Sequence, residues 1–394
     1  MEVYTLDSLL RREQVVDVFE SLIWTERFTA WGDFELVVRS TPAARSLFSA
    51  GTQLAINESY YVMTVESVEN ATDTDGKSML TLKGRSLEGT LLDSRVVKRH
   101  WQNLTTEPNW VLNGTPTQIM TWLFDGMARR GDLNPNDAIP FLQPGSIMPA
   151  STLPAPIDPI TWTQDPDTLY NALKGLGDAY GIGFRLLRNF DTSQLYFDLY
   201  TGSDRTTGQT VLPPVVFSPN LDNLQNTNEL TAIDQAKNVA YVFSEQGYLT
   251  VYPQDVSSTI SGFDRNVMLV QADTLDGTPT TDEINAYLTQ KGREALTNAI
   301  VYFGFDGEIS QNSSYKYGTD YRLGDMVELQ NIDGVANNMR VTEQIFVSDT
   351  EGERSYPTLT LYQYINTGSW LSWESDKVWA DYDTDTTTVW GTLP

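Results

Sequence analysis

One pattern occurs twice in this chain, and it constrains the fold more than any other feature. Leu47-Phe48-Ser49-Ala50-Gly51-Thr52-Gln53-Leu54-Ala55-Ile56 and Tyr321-Arg322-Leu323-Gly324-Asp325-Met326-Val327-Glu328-Leu329 share an order: apolar, Gly, polar, any, apolar, and a second apolar two residues on. Each is followed by a turn and a second strand, residues 62–68 in one case and 340–345 in the other. Each then reaches a turn of one chemistry, Asp73-Thr74-Asp75-Gly76 against Asp349-Thr350-Glu351-Gly352. Val65 stands as far before Gly76 as Val341 does before Gly352. Both turns lead into alternating strands, Leu80-Thr81-Leu82 and Leu359-Thr360-Leu361. Alternation places every second side chain on one face, the signature of a half-buried strand. Single hairpins resemble one another by chance. Agreement in order, turn chemistry and spacing favours two copies of one β-module. Three such chains in a closed ring would present six similar modules.

Composition removes several function classes. With 394 residues the chain is long enough for two to three domains. It has no cysteine, so disulfides and thiolate metal sites are excluded, and one histidine, so His-pair metal motifs are excluded too. The net charge of −26 repels phosphate backbones and anionic membrane faces, which argues against specific nucleic-acid binding. Aromatic residues make up 11%, with 19 Tyr, which suits β-structure and broad contact surfaces. No apolar run approaches the roughly 18–20 residues that span a bilayer. The start, Met1-Glu2-Val3-Tyr4-Thr5-Leu6-Asp7, has neither a basic nor an apolar leader segment, so no signal peptide or membrane anchor is expected.

Four regions follow from the pattern. Residues 1–98 read as a small antiparallel β-barrel or sandwich. In Trp31-Gly32-Asp33-Phe34-Glu35-Leu36-Val37-Val38, for example, Phe34, Leu36 and Val38 share a face. Residues 99–214 read as an α+β insertion. Thr115-Pro116-Thr117-Gln118 is a capping box with Pro at the first helical position, and Gly131 is a natural stop. Residues 133–166 are rich in proline and are expected to be a long loop outside the core. A second helix should start at Asp167 or Thr168, carry Leu169, Ala172, Leu173, Leu176 and Tyr180 as its stripe, and end at Gly181. A hairpin should follow over 182–187 and 195–200. Residues 215–365 read as a second β-barrel with one helix, opened by the capping box at Thr280 and Glu283. Residues 366–394 form an acidic, Trp-rich extension.

Little in the sequence points to catalysis. His100, the only imidazole, sits in Lys98-Arg99-His100-Trp101 away from any nucleophile-elbow pattern and reads as a surface or packing residue. Among 52 acidic residues some pair will face a groove by chance, so a glycosidase pair is weakly indicated. Asp381-Tyr382-Asp383-Thr384-Asp385 alternates like a calcium loop, but Thr386 and Thr392 stand where Gly and a bidentate acid are needed. Asp73-Thr74-Asp75-Gly76 reads as a turn. Gly175-Leu176-Gly177-Asp178-Ala179-Tyr180-Gly181 lies in and after a helix rather than opening one, so it is not a dinucleotide fingerprint. No cofactor or metal site is expected. The candidate interaction residues are Trp370, Trp373, Trp379 and Trp390. Trp costs free energy to leave in water and anchors interfaces, so these four read as a docking segment rather than a solvated tail.

Trp31-Gly32-Asp33-Phe34-Glu35-Leu36, followed by Leu82-Lys83-Gly84-Arg85-Ser86-Leu87-Glu88-Gly89-Thr90-Leu91-Leu92-Asp93-Ser94-Arg95-Val96, resembles the N-terminal domain of siphophage minor tail proteins of the tail-hub type, most like those of actinobacteriophages. Tyr317-Gly318, Leu323-Gly324-Asp325-Met326-Val327 and Val341-Thr342-Glu343 resemble the second barrel of that family. The resemblance covers residues 1–98 and 215–365 and rests on turns and strands, not catalytic groups. It implies a baseplate-hub-like fold, mainly β, with two similar antiparallel β-barrel modules and an α+β insertion. It further implies a homotrimer at the virion tail tip that adapts a sixfold tube to a threefold end. The distal tail protein would lie above it, the tape-measure protein inside, and tip or fibre proteins below. Some members carry a C-terminal lysin. This chain stops about 30 residues after the second barrel, which leaves no room for one, so a non-enzymatic role is expected. DNA would touch it only in transit, and an acidic lumen would speed that passage. The rival readings are a tail-associated cell-wall hydrolase and a host-receptor or carbohydrate binder.

Overall fold

The structure is a computed structural model. It describes residues 1–360 apart from 17, 99–108, 140, 193, 233–235, 254–259, 298, 300–301, 310–314 and 332–335. The first module holds β1 (Val3–Leu6), β2 (Arg12–Val16), β3 (Ser21–Arg27), β4 (Asp33–Arg39), β5 (Gln53–Ile56), β6 (Met63–Thr72) and β7 (Ser78–Ser86), with α1 (Pro42–Leu47) after β4. On β4 the expected alternation holds, with Phe34, Leu36 and Val38 buried.

The middle region holds β8 (Val96–Val97), β9 (Trp110–Gly114), α2 (Pro116–Phe124), β10 (Leu142–Pro144), β11 (Ile160–Gln164), β12 (Asp167–Thr168), α3 (Leu169–Tyr180), β13 (Gly183–Arg188) and β14 (Leu195–Tyr200). Both helices begin as their residues dictate. Thr115 and Gln118 exchange the two capping bonds at α2, and the Thr168 hydroxyl accepts from Asn171 N–H at α3, which Gly181 ends in the left-handed region. The helices pack on the β13–β14 hairpin, and their core is continuous with Leu6, Leu10, Val62, Leu87 and Leu92 of the first module. The proline-rich stretch departs from expectation. It contributes β10, which pairs with β14, and β11, which pairs with β9, and it buries Ile139, Leu142 and Trp162. Both are edge strands, where a proline such as Pro144 leaves no ladder bond unmade.

The second module holds β15 (Val216–Phe217), β16 (Leu224–Ala232), β20 (Tyr302–Ile309), β21 (Met326–Gln330), β22 (Ala336–Asp349) and β23 (Gly352–Thr360). Between β16 and β20 lie β17 (Val239–Ser244), β18 (Gly247–Val251), β19 (Val267–Gln271) and α4 (Thr281–Thr297). These read from sequence as barrel strands with a helix. They form instead a separate three-stranded sheet, ordered β18–β17–β19, closed on α4 by a small core of Val242, Val251, Tyr287, Leu288 and Leu296. Gln290 on α4 ties this lobe to β11: it accepts from Thr163 N–H at 2.7 Å and donates to the Thr163 carbonyl at 3.0 Å.

The duplication extends to individual bonds. Gln53 and Leu54 of β5 face Thr64 and Met63 of β6, as Met326 and Val327 of β21 face Arg340 and Met339 of β22. Gly51 N–H donates to the Val65 carbonyl and Val65 N–H to the Thr52 carbonyl, both at 2.8 Å. In the second copy Gly324 N–H donates to Val341 at 2.8 Å and Val341 N–H to Asp325 at 2.9 Å. Gly51 and Gly324 both have positive φ, 93° and 84°. A β-bulge follows directly after Val65 in one copy and after Val341 in the other. Further out, β4 lies between β7 and β3 as β20 lies between β23 and β16.

The two modules share one 13-stranded sheet. They meet where β22 pairs antiparallel with β3, from Glu343 opposite Arg27 to Ser348 opposite Leu22.

Candidate functional site

β3 supplies the chemistry of this junction. Trp24 and Glu26 are both buried. Trp24 stands opposite Phe346 in the β3–β22 register and tilts against Phe34 with ring centroids 6.1 Å apart. The Glu26 carboxylate accepts from the hydroxyls of Ser59 and Tyr317, the latter at 2.7 Å, so an acid of the first module is held by a phenol of the second. Tyr317 packs edge-on against Tyr321 and Phe346. At the rim, Arg27 bridges Asp33 at 2.7 Å and Glu343 at 2.5 Å. The middle region adds a buried ion pair, with Arg185 Nε and Nη2 donating to Asp198 at 2.8 and 2.7 Å. The Arg185 guanidinium lies 3.8 Å above the Tyr200 ring, and Tyr200 meets Phe28 edge-on at 5.2 Å. All three regions therefore converge on one buried polar core.

Burial pushes Glu26 up from an ordinary 4.5 to about 7, against the opposing pull of the Ser59 and Tyr317 hydroxyls. Burial raises Glu88 as well. Because the folded-state value of Glu26 exceeds the unfolded one, its stabilisation is complete below about pH 4.5 and is lost as pH rises through about 7. The loss amounts to about 3 kcal/mol. Glu26→Gln is neutral at every pH, so its melting temperature is expected to rise relative to wild type as pH goes from 4.5 to 8. Thermal melts at both pH values check this, and a constant difference between the two proteins would contradict it.

Both acids lie inside the packed core. Among the described residues no group of His, Asp and Glu is placed to hold a metal ion, and no helix is long and apolar enough to cross a membrane. A groove of 580 Å³ runs past Asp7, Leu10, Leu47, Gln53, Arg95 and Phe141. Its Asp7 carboxylate is held low by Arg11, whose backbone and side-chain N–H groups donate to it, with Leu9 N–H adding a further bond. Asp73 is likewise occupied, accepting from Asp75 and Lys77 N–H at 2.9 and 2.8 Å within its turn. Trp370, Trp373, Trp379, Trp390, His100 and the 381–385 acids lie outside the described residues.

Sequence reasoning missed two features. One is the buried charge on β13 and β14, where alternation fails because the whole β13 strand is covered. The other is the outer face of the small lobe. There Tyr241 stands beside Leu269 and Phe243 beside Tyr248, all four exposed, while α4 covers the inner face. Alternating aromatic residues on β17 were a legible signal for it.

Comparison with known proteins gives the context. Residues 1–359 match the family described as Siphovirus ReqiPepy6 Gp37-like protein. The chain belongs to this siphovirus family. Its fold is similar to that of the tail protein from Neisseria meningitidis MC58, at 12% identity and a TM-score of 0.53 over 93% of this chain and 98% of that one. It is equally similar to the 43 kDa tail protein of prophage MuSo2 from Shewanella oneidensis, at 12% identity and 0.53, covering 91% and 96%. No curated protein sequence matches. At such identity the likeness is one of fold. This siphovirus family member has a phage tail-protein fold, mainly β, with two like modules and α+β insertions.

Proposed function

We propose that this siphovirus protein is a structural hub of the tail tip. Three copies form a ring that closes the tail tube and adapts its sixfold symmetry to a threefold end. The observation that carries the reading is the repeated module, fastened by the same bonds in both copies and joined edge to edge within one chain. Joining unlike edges is head-to-tail association, which closes into a ring when the rotation permits. The working division is 1–98 and 215–365 as ring modules, 99–214 as the insertion, and 366–394 as a docking extension. The neighbours in this account are the distal tail protein above, the tape-measure protein inside and tip or fibre proteins below. DNA crosses the lumen without being held, in keeping with a charge of −26. The role is assembly rather than catalysis. Counting copies per purified tail by quantitative mass spectrometry tests it: three supports the hub. One copy, or a variable number on fibres, overturns it in favour of the receptor-binding reading.

Trp370, Trp373, Trp379 and Trp390 are proposed to anchor the extension on a neighbouring chain. Buried interface Trp residues commonly contribute 2 kcal/mol or more, so Trp373→Ala with Trp379→Ala is expected to weaken tail assembly at least roughly tenfold. Assembly at the wild-type yield would refute the docking role.

A further inference from the structure

Among the described strands, two edges lack a partner although the counterpart of each, in the other module, is paired. In the second module, β22 is covered on one side by β23. On its other side it is covered first by β21 and then, over 343–348, by β3. In the first module, β6 has β7 on one side and β5 opposite its first two residues. Beyond the bulge no described strand pairs with the second side, and residues 66–72 are all exposed. The equivalent stretch of β22 buries Gln344, Phe346, Val347 and Ser348. The missing partner is identifiable. The counterpart of β3 is β16, which pairs with β20 alone among the described strands and ends the sheet.

We propose that the outer edge of β16 in one copy pairs antiparallel with residues 67–72 of β6 in the next, as β3 pairs with β22 within the chain. This rests on the ring reading and names its contact. The register follows from the equivalence. Val65 matches Val341 before the bulge, Ser67 matches Glu343 directly after it, and Thr72 matches Ser348 at the far end of the strand. Trp24 opposite Phe34 matches Glu229 opposite Phe305. Transferring the Arg27–Glu343 register therefore sets Ser67 opposite Ala232, Val68 opposite Thr231, Glu69 opposite Leu230, Asn70 opposite Glu229, Ala71 opposite Asn228 and Thr72 opposite Thr227. No pair in this register opposes two like charges, which would be destabilising. An unpaired edge is a ready template for another strand, and closing the ring in this way covers both of these edges. The second copy is favoured over an unrelated strand because the chain already makes this contact once with itself.

The chain has no cysteine, so engineered pairs report cleanly. Directly opposed residues in an antiparallel pair have Cα atoms about 4.5–5.5 Å apart, within reach of a disulfide. Tails carrying Val68→Cys with Thr231→Cys, or Asn70→Cys with Glu229→Cys, are expected to give covalent dimers and trimers of this chain on non-reducing gels. Single variants and the out-of-register pair Val68→Cys with Asn228→Cys should not. Hydrogen exchange on wild-type tails is a second readout that needs no variant: alternate amides of 67–72 should be protected in tails and fast in the free chain. Three copies per tail with no in-register cross-link and no protection would overturn the edge pairing and leave the ring standing. A copy number other than three would overturn both.

Discussion

Trp24→Ala is expected to destabilise the folded chain by about 3–5 kcal/mol, the range for a fully buried aromatic truncated to Ala. Trp24 has no exposed surface. It fills the space between Phe34 on its own module and the β22 strand of the other. Its indole N–H has no hydrogen-bond partner among the described residues, so the loss is one of packing and cavity formation. Trp24→Phe should therefore recover most of the stability. Because the ring sits at the junction, the Ala variant should also separate the modules. Denaturant unfolding that is single-step in the wild type would broaden or split. A loss below about 1 kcal/mol would show that the junction does not depend on this ring.

The second large effect tests the duplication itself. Gly51 and Gly324 hold the same position in the two fastenings and share a positive φ. Their surroundings differ. A Cβ on Gly51 would meet nothing within 4 Å, whereas one on Gly324 would stand 2.7 Å from the Phe28 ring and 3.1 Å from Tyr200. Gly51→Ala should cost roughly 1 kcal/mol, from backbone strain alone. Gly324→Ala should cost roughly 3 kcal/mol or more, as strain and overpacking combine. The asymmetry arises because the middle region packs on the second fastening only, where the Gly202 backbone also approaches Gly324 closely. Equal losses at the two sites, measured by denaturation midpoints, would contradict this account.

Local chemistry was well written in the sequence. The Thr115 and Thr168 caps, the Gly181 stop, the left-handed Gly131 that ends the π-helical turn Asp125–Arg130 after α2, and the Asp–Gly turns each depend on neighbours a few residues away, so their residues suffice to place them. The repeat was legible because both copies preserve spacing as well as residue type. What escaped was pairing at long range. Nothing in Ser21–Arg27 states that its partner is Glu343 to Ser348, because alternation assigns a face but not a neighbour. For the same reason β17, β18 and α4 read as parts of a barrel when they fold on one another. The buried pair Arg185 and Asp198 was illegible because a charged strand position ordinarily means a solvated face. The Trp-rich extension, singled out from composition, awaits the assembly experiments above.

The most direct test of the hub account is a cryo-electron-microscopy reconstruction of the tail end of the intact particle. The account predicts three copies of this chain around the tube axis, their two modules alternating in a six-unit ring, with β3–β22 contacts inside chains and β16–β6 contacts between them. A single copy on the axis, or copies out along a fibre, would contradict it.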